Sequence, residues 1–169
     1  QEGFSLDDMD TIEVGLKRFL PEMVGAYPHN MLGAKFSVPY SVASALVRGS
    51  ADITTFYPEA IDDERVRAVA SKVRISEDTY SSGSEDGPTA RAWVRMKDGR
   101  TLTSTVGIIP GDRANPLPRE ATLSKFRFLT NGVLDPERIE DVIRMAGDHL
   151  QDLGDVQELT SLLGGPGTA

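Results

Sequence analysis

The sequence predicts an α+β domain, with an antiparallel sheet of about four strands packed against several helices. Three observations carry this. Residues 11–18 and 89–96 alternate apolar and polar side chains, as half-buried strands do. Asp98-Gly99 sits between two such segments, and this dipeptide is the strongest short-range signal for a hairpin. The helical patterns are grouped between and after the strands instead of alternating strictly with them, which separates this class from a doubly wound α/β fold.

The elements follow in chain order. Residues 5–10 read as a turn or short helical entry, and residues 11–18 (TIEVGLKR) as the first strand. Residues 19–33 contain Pro21, Gly25, Pro28 and Gly33 and read as irregular. A helix begins near Pro39, whose missing N–H costs nothing in a first turn. Val42, Ala43, Leu46 and Val47 continue it at helical spacing, its small residues predict close packing, and Gly49 is the expected C-terminal cap. Asp62-Asp63-Glu64 introduces a second amphipathic run through Val66, Val69 and Ala70, acidic residues suiting the positive end of a helix dipole. Residues 72–77 form a strand, 78–88 a polar loop, and 89–96 a strand in which Trp93 is expected to anchor the core. After the Asp98-Gly99 turn the partner strand covers residues 101–109. Residues 110–119 are a loop. Residues 120–129 form a helix with Leu123, Phe126 and Leu129 inward. Asp135-Pro136 starts another, with Ile139, Val142, Ile143 and Leu150 inward. Residues 155–163 are a last short helix before a glycine-rich tail. The expected organisation is a single domain over residues 1–163 with a flexible tail at 164–169.

Composition removes several classes of function. With 169 residues the chain is long enough for a real core, and it contains no cysteine, so thiolate catalysis, disulfides and zinc–cysteine sites are excluded. The formal charge of −8 disfavours nucleic acid or an anionic membrane surface as the main partner. No apolar run approaches the roughly 20 residues that span a bilayer. A cytoplasmic location fits the lack of cysteine and of a signal sequence. His29 and His149 lie far apart with no metal-ligand spacing around either, and His149 reads as a solvated or capping residue. There is no Gly-x-Ser-x-Gly elbow, Walker loop or Gly-x-Gly-x-x-Gly run. An acidic protein that binds an anionic small molecule needs a local cluster of Lys or Arg.

Five segments, in order, are similar to one family. Ala34-Lys35-Phe36-Ser37-Val38-Pro39-Tyr40 with Ala43, Ala45 and Leu46 matches an A-K-F-S-x-x-Y-x-x-A-x-A-L run. Phe56-Tyr57-Pro58-Glu59-Ala60 follows, with Asp63-Glu64-Arg65-Val66 and Lys72-Val73. Then come residues 94–100 (VRMKDGR), residues 111–117 (GDRANPL), and Lys125-Phe126-Arg127. Together they resemble the C-terminal domain of the MmgE/PrpD family, which includes 2-methylcitrate dehydratase, cis-aconitate decarboxylase and iminodisuccinate epimerase. The resemblance implies the smaller α+β domain of a two-domain enzyme, with the active site shared with an N-terminal helical domain that holds most of the family's catalytic histidines. It implies proton or carboxylate removal beside a carboxylate on a small polycarboxylate, as in dehydration of a 2-methylcitrate-like substrate, with decarboxylation or epimerisation as variants. It implies no metal or organic cofactor, and a homodimer. The competing expectation is a non-catalytic dimerisation or lid module, or a subunit completing a partner's site.

Six residues follow as site candidates. Tyr40 occupies the tyrosine of the run, which the resemblance places at the active site, and a phenol can donate a proton or stabilise a developing enediolate. His29, a few residues upstream, is a candidate acid or base. Lys35 is a candidate for binding a substrate carboxylate. Ser37 either binds the same group or caps the helix. Lys17 and Arg18 are candidates for the local positive field.

Overall fold

The computed structural model describes residues 5–16, 23, 25–77, 90–147 and 149–164. Lys17 and Arg18, the whole of the expected 78–88 loop and residues 165–169 of the glycine-rich tail lie outside the described residues. The chain divides into two compact units, one ending at Ile109 and the other starting at Pro110.

The first unit is built on a four-stranded sheet in the order β2-β1-β3-β4, with β1 at Met9–Leu16, β2 at Val73–Glu77, β3 at Ala90–Met96 and β4 at Thr101–Val106. The β1–β3 and β3–β4 pairs are antiparallel, as expected, whereas β1 and β2 are parallel. A parallel pair needs a long crossover, and the helices between β1 and β2 supply it. Along β1 the register slips between Met9 and Thr11, so Asp10 forms a bulge. The bulge explains how Met9, Ile12 and Val14 are all buried although their spacing breaks strict alternation. The β3–β4 turn behaves as its sequence demands. Gly99 has φ 88°, a left-handed conformation that glycine adopts without strain. Asp98 accepts from the Arg100 N–H at 3.0 Å and from its Nε at 2.8 Å. The backbone N–H, then the guanidinium, hold the Asp98 carboxyl below the usual aspartate range.

Four helices follow β1. These are α1 (Met31–Phe36), α2 (Val38–Arg48), α3 (Pro58–Ile61) and α4 (Glu64–Ala70), with a 3-10 turn at Ile53–Phe56. Gly49, at φ 75°, caps α2 as predicted, and Asp63 caps α4 through the N–H groups of Arg65 and Val66. Tyr40 and Ala43 of α2, Val66, Val69 and Ala70 of α4, and Met9, Ile12, Val73 and Met96 of the sheet form one buried core.

Three expectations need correction. Trp93 does not anchor that core. In β3 the buried Met96 and the half-buried Val94 face the helices, and the two-residue strand period puts Trp93 on the opposite face with Arg91 and Arg95. Strand β4 ends at Val106, short of Ile109. The stretch expected to be irregular through Gly33 overlaps α1, which begins at Met31, before the expected helix start.

The second unit contains α5 (Arg119–Thr130), α6 (Pro136–Gly147) and α7 (Val156–Leu163). Leu134, Ile139 and Ile143 form its buried centre, flanked by Leu123 and Phe126. Val142 is buried as predicted, but Leu129 and Leu150 are exposed. Leu150 falls in a 3-10 turn after α6 has ended, so it leaves the helical face that its spacing implied. Arg127 of α5 clasps Glu140 of α6 through two hydrogen bonds of 2.7 and 3.0 Å. The hydrogen bond from Arg127 holds the Glu140 carboxyl below the usual glutamate range. A carboxylate whose pKa is depressed by folding contributes stability above its unfolded pKa and loses that contribution as pH falls through the folded value. Glu140→Gln is therefore expected to melt lower than the parent at neutral pH. The difference should shrink on acidification through the carboxylate range, as thermal melts followed by circular dichroism will show.

Candidate functional site

The segment from Tyr27 to Ala60 gathers four of the six predicted residues. Asn30 opens α1 by accepting the Gly33 N–H at 2.8 Å. Ser37 joins α1 to α2. Its backbone N–H closes α1 on Gly33 O at 3.0 Å, and its Oγ opens α2 by accepting the Tyr40 N–H at 3.0 Å. The same hydroxyl donates to Gly25 O, and Ser37 is buried. Ser37 is thus a cap for two helices at once, the structural alternative recognised in the sequence.

Tyr40 is fully buried. Its hydroxyl oxygen lies 2.6 Å from Thr55 O and 3.1 Å from Ala60 O, so its single proton is held between two backbone carbonyls. Its ring meets Phe56 at a tilted angle, with centroids 6.3 Å apart. Arg48, at the far end of α2, reaches the same segment. Its Nη2 donates to Ala60 O at 2.9 Å and to Asp63 Oδ2 at 3.1 Å. Tyr40 and Arg48 therefore tie both ends of α2 to the chain between the 3-10 turn and α4. Sequence reasoning missed this brace, although Arg48 before the capping Gly49 and the acidic run at Asp62 to Glu64 were its visible parts.

One turn beyond Tyr40, Ser44 is fully buried, and its Oγ has no partner among the described residues. A buried hydroxyl without a partner costs about 1–3 kcal/mol of desolvation. Ser44→Ala is expected to leave the fold intact and to raise the denaturant midpoint of the first unit, with an unchanged slope.

His29 and Lys35 differ from this buried pair. Both are exposed, His29 just ahead of the Asn30 cap and Lys35 in the last turn of α1. Around them α1 turns only Ala34 into the core. It leaves Leu32 at 66% exposure and Phe36 at 50%, with Tyr27 at 54% just before it. A short helix with its large side chains outward presents a partly apolar flank bearing an imidazole and an ammonium. No group of three or more His, Cys, Asp or Glu side chains among the described residues is placed to hold a metal ion. No helix among them is long and apolar enough to cross a membrane. His149 is exposed, with Nδ1 3.6 Å from Asp152 Oδ2.

A mixed four-stranded sheet backed on one face by a braced helix pair, with a charged and apolar helix flank left open, is the architecture these residues define. The chain belongs to the MmgE/PrpD family, and its residues 1–148 match the MmgE/PrpD C-terminal domain. It is similar to the cis-aconitate decarboxylase of Mus musculus, with 28% identity over 140 residues. It is also similar to the cis-aconitate decarboxylase of Homo sapiens, with 29% identity over 140 residues. Each match covers 83% of this chain but only 28% of the mouse protein and 29% of the human one, so the chain spans well under half the length of these relatives.

Proposed function

We propose that this chain is the C-terminal part of a lyase acting on a small polycarboxylate, with an active site completed by a helical domain of the same enzyme or of a partner subunit. The observation that carries this reading is the family match over residues 1–148. The exposed flank of α1 supports it, because Tyr27, Leu32 and Phe36 offer an apolar docking surface beside two ionisable groups. On this reading residues 1–163 act as one C-terminal domain, and the assembled enzyme is a homodimer.

The chemistry is loss of water from a 2-methylcitrate-like substrate. A base takes the proton from the carbon beside a carboxylate, an acid protonates the departing hydroxyl on the neighbouring carbon, and a carbon–carbon double bond forms. His29 suits either proton transfer, since an imidazole carries one nitrogen that can accept a proton and one that can donate. Lys35 supplies a local positive charge for a substrate carboxylate and for the developing enediolate, which the chain's overall charge of −8 does not. Lys17 and Arg18 would add to the same field. Tyr40 and Ser37 serve this site as positioning residues, through the brace and the double cap that fix α1 and α2.

Decarboxylation is the second reading, favoured by the two cis-aconitate decarboxylase relatives. It leaves an electron pair beside the same carboxylate and needs the same positive charge. The enzyme joined to its helical domain, incubated separately with 2-methylcitrate and cis-aconitate, distinguishes the two. Formation of an unsaturated acid with no carbon dioxide supports dehydration, and release of carbon dioxide from cis-aconitate supports decarboxylation. Turnover of neither substrate by a folded preparation would refute both.

A further inference from the structure

The two edges of the sheet differ. β2 forms one edge and β4 the other. An open strand edge is a row of backbone donors and acceptors, and charges, proline or a bulge on it deter pairing with another chain. β2 carries Arg74 and Glu77, both exposed. β4 reads Thr-Leu-Thr-Ser-Thr-Val, with no charge and no proline, and its register against β3 runs unbroken over residues 101–106. All of β4 but Leu102 is exposed.

The turn before β4 fixes which of its backbone groups are open. Met96 N–H donates to Arg100 O at 2.9 Å, so the pair that closes the turn is a hydrogen-bonded one. Such pairs alternate with non-bonded ones along an antiparallel ladder. Leu102, Ser104 and Val106 therefore turn their N–H and C=O groups to β3, and those of Thr101, Thr103 and Thr105 point away from it. Among the described residues no strand lies beyond these three threonines, and their outward groups make no hydrogen bond.

This row is complementary to itself. Antiparallel pairing can set outward residues opposite outward residues. With a two-fold axis at Thr103, Thr103 of one copy meets Thr103 of the other, and Thr101 of each copy meets Thr105 of the other. Each such pair exchanges two backbone hydrogen bonds, so no outward group of the three threonines is left over. Facing threonines are a favourable cross-strand pair, and no like charges meet along the strand. The same strand on both copies makes a closed, isologous contact.

We propose that β4 joins a second copy of this chain, edge to edge and antiparallel, with the two-fold axis at Thr103 and one sheet running through both copies. The pairing supplies an interface for the homodimer of the proposed enzyme, and it rests on that reading only in expecting two copies.

The chain has no cysteine, so introduced single cysteines report the register. Hydrogen-bonded partners lie about 5.5 Å apart between Cα atoms, within the disulfide range. Thr103→Cys alone should form a disulfide-linked dimer under mild oxidation. Thr105→Cys alone should not, because its two copies lie about 13 Å apart along the strands at ~3.3 Å per residue. Mixed with the Thr101→Cys variant, it should form a linked pair. Sedimentation of the unaltered chain should show a reversible dimer. Thr103→Pro removes an N–H that points outward, a change that an edge strand tolerates, and should leave a monomer that circular dichroism shows to be folded. Thr103→Lys sets two ammonium groups opposite each other and should weaken the dimer by about ten-fold or more. A monomer at every attainable concentration, an unchanged dimer in the folded Thr103→Pro or Thr103→Lys variant, or linkage of Thr105→Cys as readily as Thr103→Cys would each overturn the proposal. The lyase reading stands or falls separately, since none of these measurements follows turnover.

Discussion

Tyr40→Ala is expected to destabilise the first unit by about 3–5 kcal/mol, the range for emptying a buried aromatic site. Tyr40 is the largest of the fully buried side chains, and its ring packs between α2 and Phe56. Truncation removes that packing and both carbonyl contacts together. Tyr40→Phe keeps the ring and removes only the hydroxyl, leaving buried carbonyl oxygens at Thr55 and Ala60 to lose a donor. Its expected cost is about 1–3 kcal/mol. Ala60 O retains Arg48 Nη2 at 2.9 Å, so most of the loss falls on Thr55 O. Chemical denaturation of the two variants should give the same slope and midpoints in the order parent, Phe, Ala. If Tyr40→Phe is as stable as the parent, the hydroxyl does not brace the fold, and its proton is available for another role.

His29→Gln in the enzyme joined to its helical domain is expected to reduce turnover by about 10²–10⁴-fold, the usual contribution of a general acid or base. Stability should be unaffected, because His29 is exposed at a bend and its ring is not part of the core. Lys35→Ala should act differently. Losing a hydrogen bond to a charged group costs about 1.5–3 kcal/mol, or roughly ten- to hundred-fold, and a carboxylate held in both ground and transition states shows this mainly in KM. A fall in kcat for one variant and a rise in KM for the other, with melting unchanged in both, separates chemistry from binding on the short segment from His29 to the last turn of α1. Equal turnover for His29→Gln and parent would remove the imidazole from the reaction.

Much of the fold was legible because local signals agreed with tertiary need. Gly49 caps α2 as expected, and the acidic run at 62–64 lies at the start of the helix it was expected to introduce. The Asp98-Gly99 turn places β3 against β4. The inward positions Ile139, Val142 and Ile143 follow from helical spacing alone. Other features depend on contacts distant in sequence. The parallel pairing of β1 with β2 joins segments separated by the whole helical crossover, and no local pattern encodes it. The Asp10 bulge shifts a register that simple alternation reads as continuous. Trp93 illustrates a weighting error. The alternation Arg91-Ala92-Trp93-Val94-Arg95-Met96 already groups the tryptophan with the arginines, but its apolar bulk suggested the core. At the candidate site the family run put its candidates on one short segment. It did not distinguish the buried members, Ser37 and Tyr40, from the exposed ones, His29 and Lys35, because burial there is set by where α1 turns into α2 and by the carbonyls of Thr55 and Ala60.

The account rests on the exposed flank of α1, and not the buried hydroxyl of Tyr40, meeting the substrate. The most direct test is turnover by the enzyme joined to its helical domain, compared for His29→Gln and Tyr40→Phe at a temperature where both are folded. The prediction is near-parental turnover for Tyr40→Phe and a loss of about 10²-fold or more for His29→Gln. Full turnover in His29→Gln, with loss in a folded Tyr40→Phe, would contradict it.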